Sequence, residues 1–313
     1  MSKPAQRNPL DVVFSTLTGA ASIVVPLLIV GIILILYLQS SLAIERFGVI
    51  GFITSSEWDP VRDIFGGAAP LYGTIVTTAL ALLIAVPAAL GIAVFVTEVA
   101  PTFLKKPIGI AIELLAAIPS IIYGMWGLFT LAPIMADYVE PAIQSSIGGL
   151  PLVGLLFEGT PMGIDVLTAS LILSIMIIPF TASISRDTFN LTPPVVKESA
   201  YGLGATKWEV IKGVIIPYSK LGIFGGIVLS LGRAIGETMA VAFVLGNNHE
   251  IRASLFAAAS TVTVTLANEF TEADTDLYLS SLFYLALILF VMSFVTLALA
   301  KLFLLRADRS VVR

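Results

Sequence analysis

Long apolar runs without a single charge alternate along this chain with shorter charged segments. No Asp, Glu, Lys or Arg lies between Asp11 and Glu45, between Asp63 and Glu98, between Glu113 and Asp137, between Asp165 and Arg186, or between Asp276 and Lys301. A helix needs about 20 apolar residues to cross a hydrocarbon core roughly 30 Å thick, so each run accommodates one crossing. A sixth stretch, Leu221 to Gly246, is long enough but is interrupted by Arg233 and Glu237. The third crossing is expected to begin near Pro107, which sets Glu113 about two turns inside it. The pattern predicts an all-α polytopic membrane protein, a single domain over 1–313, with six transmembrane helices at about 14–40, 70–97, 107–134, 166–185, 221–246 and 277–303. Two stretches need a decision. Leu17 to Leu38 is too long for the core of a cleavable signal peptide and reads as an uncleaved anchor. Ala253 to Leu266 reads as a short external or re-entrant segment, because a full crossing there would put the cationic tail outside.

Composition agrees with a lipid solvent: 57% of residues are hydrophobic, 12% are charged and the mean hydropathy is +0.99. A soluble fold of 313 residues needs about twice that charge density. The absence of cysteine excludes disulfides and thiolate sites, and a single histidine, His249, excludes a histidine-cluster metal site. Cations concentrate in alternate segments: Lys3 and Arg7; Lys105 and Lys106; the five from Arg186 to Lys220; and the four from Lys301 onward. The intervening segments hold only Arg46, Arg62 and Arg252. By the positive-inside rule both termini are expected on the cytoplasmic side of the membrane. The three opposite segments hold 13 acidic residues, a field that repels free anions and suits substrate delivered by a carrier, or else is only solvated surface.

No Gly-Lys dipeptide occurs, so no phosphate-cradling nucleotide loop is present, and no nucleophile elbow or His-Glu-x-x-His pair appears. With no cationic cluster of the kind nucleic acid requires, a nucleic-acid partner is not expected. The loop 186–220 is built as folded structure. Thr192 and Pro193 read as the start of a short helix ending near Gly202 or Gly204, and Thr206-Lys207-Trp208-Glu209 reads as a capping box opening a second one. Pro217 is expected to bend or end that second helix before the fifth crossing. Such a loop either docks into a groove on a soluble partner or rests on the bilayer interface, anchored by Trp208 and the lysines.

Glu198-Ser199-Ala200, then Gly204, then Val214-Ile215-Ile216-Pro217 resembles the EAA loop of the membrane subunits of binding-protein-dependent ABC importers. Ser199, Val214 and Ile216 replace other small or aliphatic residues at intact spacing. A second motif, Gly232 to Val241 (Gly-Arg-Ala-Ile-Gly-Glu-Thr-Met-Ala-Val), with Ile118-Pro119-Ser120 and Tyr123-Gly124 upstream, is similar to PstC-type permeases of phosphate importers. The resemblance implies a type I ABC importer (MetI-like) permease fold and a transport subunit rather than an enzyme. It implies no cofactor on this chain, with ATP and Mg on partner ATPase subunits. The implied partners are a PstA-like permease, a PstB-like ATPase dimer, an external PstS-like binding protein, inorganic phosphate and membrane lipid. In that reading Glu198, Ser199, Ala200, Gly204, Thr206 and Pro217 belong to the ATPase coupling loop. A permease for another oxyanion, sulfate or molybdate, and an ion-coupled secondary transporter are the alternatives.

Arg233 and Glu237 are the candidate substrate-path residues. An ion at mid-membrane costs about 2.5–3.5 kcal/mol on insertion scales, so such a pair demands compensation. Four apart on one helix, they are expected to share a face, with Gly232 and Gly236 clearing space beside them. Arginine offers a planar fork to a phosphate edge, and a carboxylate can accept from a P–OH group, which sulfate lacks. The alternative is an intramembrane salt bridge that touches no substrate. Glu113 is expected to pair locally near a helix end, and His249 to be a solvated loop residue.

Overall fold

The computed structural model describes residues 9–151 and 153–309; Lys3, Arg7 and Arg313, used in the orientation argument, lie outside them. Six helical stretches are long and apolar enough to cross a membrane: Val13–Gln39, Ala68–Val99, Ser120–Ile147, Val166–Asn190, Lys207–Ile235 and Asp276–Leu302.

The first helix, α1 (Pro9–Gln39), exposes its apolar side chains along its length, and none of its most apolar stretch is buried within this chain. It turns at Ser40 into α2 (Ser41–Phe47) and α3 (Val49–Thr54). The Ser280 hydroxyl secures this break, donating to the Gln39 carbonyl at 2.8 Å and accepting the Ala43 N–H at 3.1 Å.

The centre of the fold is the pairing of α4 (Ala68–Val94) with α9 (Val166–Asn190). Ala81, Ala85, Ala89 and Ala93 form a fully buried stripe at four-residue spacing, which lets the two backbones approach closely. From α9 they meet Ile172, Leu173, Met176, Ile177 and Ala182, all at most 1% exposed. Between these helices in sequence come α5 (Thr102–Ala116), α6 (Ser120–Trp126), α7 (Ala132–Ile134) and α8 (Glu140–Ile147). The expected crossing 107–134 is therefore divided at residues 117–119, where Pro119 cannot extend the preceding helix. Both pieces lie along α9: a Cβ at Gly109 would fall 2.7 Å from Arg186 Nη1, and one at Gly127 would fall 2.8 Å from Ile172 Cδ1.

After α9 come α10 (Pro194–Gly202), α11 (Lys207–Val210) and α12 (Ile216–Ile235). Pro217 neither ends nor separates a helix. The chain runs helically from Lys207 to Ile235, and the π-helical turn at Ile211–Ile215 just before Pro217 is the local adjustment that lets the helix pass a residue with no N–H. The fifth crossing thus starts well before residue 221 and stops at Ile235, short of 246. Beyond it lie α13 (Met239–Ala242), an irregular stretch, α14 (Val262–Glu269) and α15 (Asp276–Arg309). The stretch 253–266 folds back onto α4 and α9. The Val166 and Leu167 N–H groups donate to the Ala257 and Leu255 carbonyls, and a Cβ at Gly73 would fall 2.0 Å from the Ser260 carbonyl oxygen.

Candidate functional site

Arg233 and Glu237 do not share a helical face. The helix ends at Ile235, Gly236 caps it, and the Glu237 N–H turns back to the Ala234 carbonyl at 3.3 Å. Glu237 lies in the break between α12 and α13, where its Oε1 accepts the Ala240 N–H at 3.2 Å and its carbonyl accepts the Thr263 hydroxyl at 2.7 Å. The expected Gly-x-x-x-Gly register fails because glycine at 236 favours a helix end over continuation. No ion pair joins the two residues among the described ones. The Arg233 guanidinium instead lies 4.4 Å from the centre of the Phe180 ring, a cation–π contact, and its buried Nε has no hydrogen-bond partner among the described residues. Of the two glycines beside them, Gly232 meets only Leu297 at ordinary contact distance. The Thr181 and Ser230 hydroxyls, 2.6 Å apart and buried, join α9 to α12 one turn from Phe180 and Arg233. The result is a cation in a membrane-spanning helix that lies over an aromatic ring and has no ion pair among the described residues.

The loop residues assemble as a unit. Glu198, Ser199 and Ala200 lie on α10, and Gly204 makes the turn at φ +88°, a left-handed conformation that glycine adopts without a steric penalty. The Thr206 side chain accepts the Glu209 N–H while the Glu209 carboxylate accepts the Thr206 N–H, so the capping box forms as its sequence predicts. The α10 start differs by one residue: Pro193 is the cap, Pro194 opens the helix, and Thr192 is buried beside Ser219. Lys197 pairs with Glu98 at 2.6 Å, tying α10 to the end of the second crossing. Val210, Ile211 and Ile215 hold the unit to Ala93 and Phe189, while its outer surface is apolar and unpartnered, with Leu203 90%, Val195 69% and Trp208 63% exposed.

Two clusters escape sequence reasoning because their members are far apart in the chain. His249 is not a solvated loop residue: its Nε2 lies 2.9 Å from Glu269 Oε1, and its ring stacks on Trp58 with centroids 5.4 Å apart. Glu269 also accepts Trp58 Nε1 at 2.7 Å and the Tyr278 hydroxyl at 2.8 Å. Burial disfavours the Glu269 anion, but the bonds from His249, Tyr278 and Trp58 outweigh it and hold the carboxyl below the usual carboxylate range. The second cluster is Glu140 and Asp165, both fully buried. Asp165 caps α9 by accepting the Thr168 N–H at 2.8 Å, and burial pushes its carboxyl up against that bond. Glu113, as expected, pairs locally, with Arg186 at 2.9 Å.

Six apolar helices among the described residues, a cation in one of them and an exposed helical loop with an apolar outer surface fit a polytopic membrane protein. The chain belongs to the family of inner membrane components of binding-protein-dependent transport systems, whose sequence profile matches residues 85–309. It is 54% identical over 298 residues to the phosphate transport system permease protein PstC of Mesorhizobium japonicum, covering 95% of this chain and 91% of that one. It is 50% identical over 299 residues to PstC of Xylella fastidiosa, covering 96% and 92%. Its fold is similar to that of a bacterial ABC transporter involved in the import of the acidic polysaccharide alginate, with a TM-score of 0.60, 17% identity and coverage of 96% and 99%. It is also similar to the MetNI methionine ABC transporter in an inward-facing conformation, with a TM-score of 0.54, 15% identity and coverage of 78% and 95%.

Proposed function

We propose that this chain is one half of the translocation pore of an ATP-driven inorganic phosphate importer, with Arg233 on the anion path. The observation that carries the reading is Arg233 itself: a guanidinium in a crossing helix with no ion pair among the described residues and a buried, unpartnered Nε has capacity left for an anion. A structural salt bridge with Glu237 would have consumed that capacity, and none is present among the described residues. Similarity to PstC permeases supports phosphate as the anion. Glu237, held at the helix break, acts from the opposite side of Gly236, where it can accept a P–OH proton.

The remaining parts follow from the same reading. The outer surface of α10 and its turn docks into a groove on the ATPase subunit, with Glu198, Ser199, Ala200, Gly204, Thr206 and Pro217 shaping and holding the loop. A PstA-like permease completes the pore, two PstB-like ATPase subunits bind ATP and Mg, and a PstS-like binding protein delivers phosphate at the acidic outer face. Both termini lie in the cytoplasm. Rigid-body movement of the two halves, biased by nucleotide, then gives alternating access.

Uptake of labelled phosphate by vesicles containing the assembled complex tests the central claim. Arg233→Ala abolishes uptake while the complex still purifies intact, and Arg233→Lys, which keeps the charge but loses the fork, leaves partial uptake. Wild-type uptake rates in Arg233→Ala would refute the reading. Competition by sulfate or molybdate equal to that of phosphate would reassign the anion.

A further inference from the structure

We infer that a second, separate site for a phosphate group lies in the cleft between α5, the end of the second crossing and the end of α9. The cleft has a volume of about 350 Å³ and is lined by Thr97, Lys105, Lys106, Glu113, Arg186 and Asn190. It lies at the same end of the fold as α10, because α9 leads from Asn190 into that loop and Glu98, next to Thr97, pairs with Lys197 of α10. Three cations line it against one carboxylate.

The donors are free enough to serve a ligand. The Lys105 ammonium donates to the Thr97 carbonyl, which fixes its position and leaves two of its three N–H groups. Lys106 is exposed and makes no ion pair among the described residues. Arg186 uses Nε on Asp187 and Nη2 on Asp187 and Glu113, at 2.9–3.0 Å. Its Nη1 lies across Gly109, another residue of the cleft wall, with no hydrogen bond among the described residues. A side chain at 109 would displace that nitrogen, so the glycine keeps the guanidinium in place. Two ammonium groups and one guanidinium edge around a space of this size suit a tetrahedral oxyanion.

That chemistry has two possible sources. One is the headgroup phosphate of an anionic lipid: Ile110 lines the cleft, and Phe103 at 74% and Leu114 at 64% exposure continue it along the outer side of α5 as an apolar track for an acyl chain. The other is inorganic phosphate at the inner mouth of the protein.

Lysine footprinting on the assembled complex in phosphatidylcholine nanodiscs separates the two. The rate of acylation of Lys105 and Lys106 by an amine-reactive reagent is read by peptide mass spectrometry, with exposed Lys301, away from the docking loop, as the control. At a probe level about four times Kd the expected slowing at Lys106 is about fivefold, and it shrinks with rising salt. Slowing with 20 mol% phosphatidylglycerol but not with about 5 mM inorganic phosphate assigns a lipid site, and the reverse assigns a free-phosphate site. Gly109→Val and Lys105→Gln each remove the protection of Lys106. No slowing with either probe in the wild-type complex, or equal slowing at Lys301, overturns the inference.

Discussion

Replacing Glu269 by alanine removes one acceptor from three donors at once, Tyr278 buried and Trp58 and His249 half-buried. Its carboxylate takes the Trp58 indole, the Tyr278 hydroxyl and the His249 imidazole at 2.7–2.9 Å and is 7% exposed, so water replaces it poorly. Hydrogen bonds to a charged group contribute about 1.5–3 kcal/mol each, and removing one member of a buried charged cluster costs about 3–5 kcal/mol. Because the three bonds share one acceptor they do not add, and the middle of that span, about 4 kcal/mol, is the expected loss. Thermal unfolding of the purified full-length chain followed by tryptophan emission reads it directly, since Trp58 is itself a reporter. The midpoint falls by on the order of 10 °C in Glu269→Ala. Glu269→Gln falls less, because the amide keeps one oxygen but turns an N–H group toward the remaining donors. The pH dependence has a fixed sign. The folded Glu269 carboxyl lies below its unfolded value, so its contribution is fully present above the unfolded pKa and is lost as pH falls through the folded one. The mutant and wild-type midpoints therefore converge only in acid. A midpoint within about 1 °C of wild type at neutral pH would show that the cluster is incidental.

Two other substitutions probe different parts of the molecule. Gly73→Ala places a Cβ 2.0 Å from the Ser260 carbonyl, so the 253–266 segment must lift from α4; limited proteolysis then cleaves near Ser260 at a rate at least severalfold above wild type. Leu203→Ser, at 90% exposure, leaves the melting of the isolated chain within about 0.5 kcal/mol but weakens co-purification of the ATPase subunit; intact co-purification would count against the docking surface.

Much of the architecture is legible because the bilayer imposes a simple rule on sequence. Charge-free runs mark five of the six crossings, and the capping box at Thr206 forms where local chemistry predicts it, since both partners lie three residues apart. The errors come where backbone continuity depends on context. Pro217 reads as a bend or an end, but a π-helical turn just before it accommodates the missing N–H and the helix continues. Arg233 and Glu237 look like an i, i+4 pair, but Gly236 ends the helix between them. The Glu269 cluster leaves no local signal because Trp58 and Glu269 are 211 positions apart.

The lipid-facing α1 carries a consequence for how this chain tolerates change. Within this chain its side chains meet few protein atoms, and the family's sequence profile begins only at residue 85. Its sequence answers to the thickness of the bilayer rather than to the shape of a neighbour. Exchanges such as Ile29→Phe or Leu34→Val are neutral there as long as the run stays apolar. The same kind of exchange at Ile172, fully enclosed in α9, has no room. An alignment of homologous chains is therefore expected to show more exchange along α1 than along α9, although both are apolar along their length.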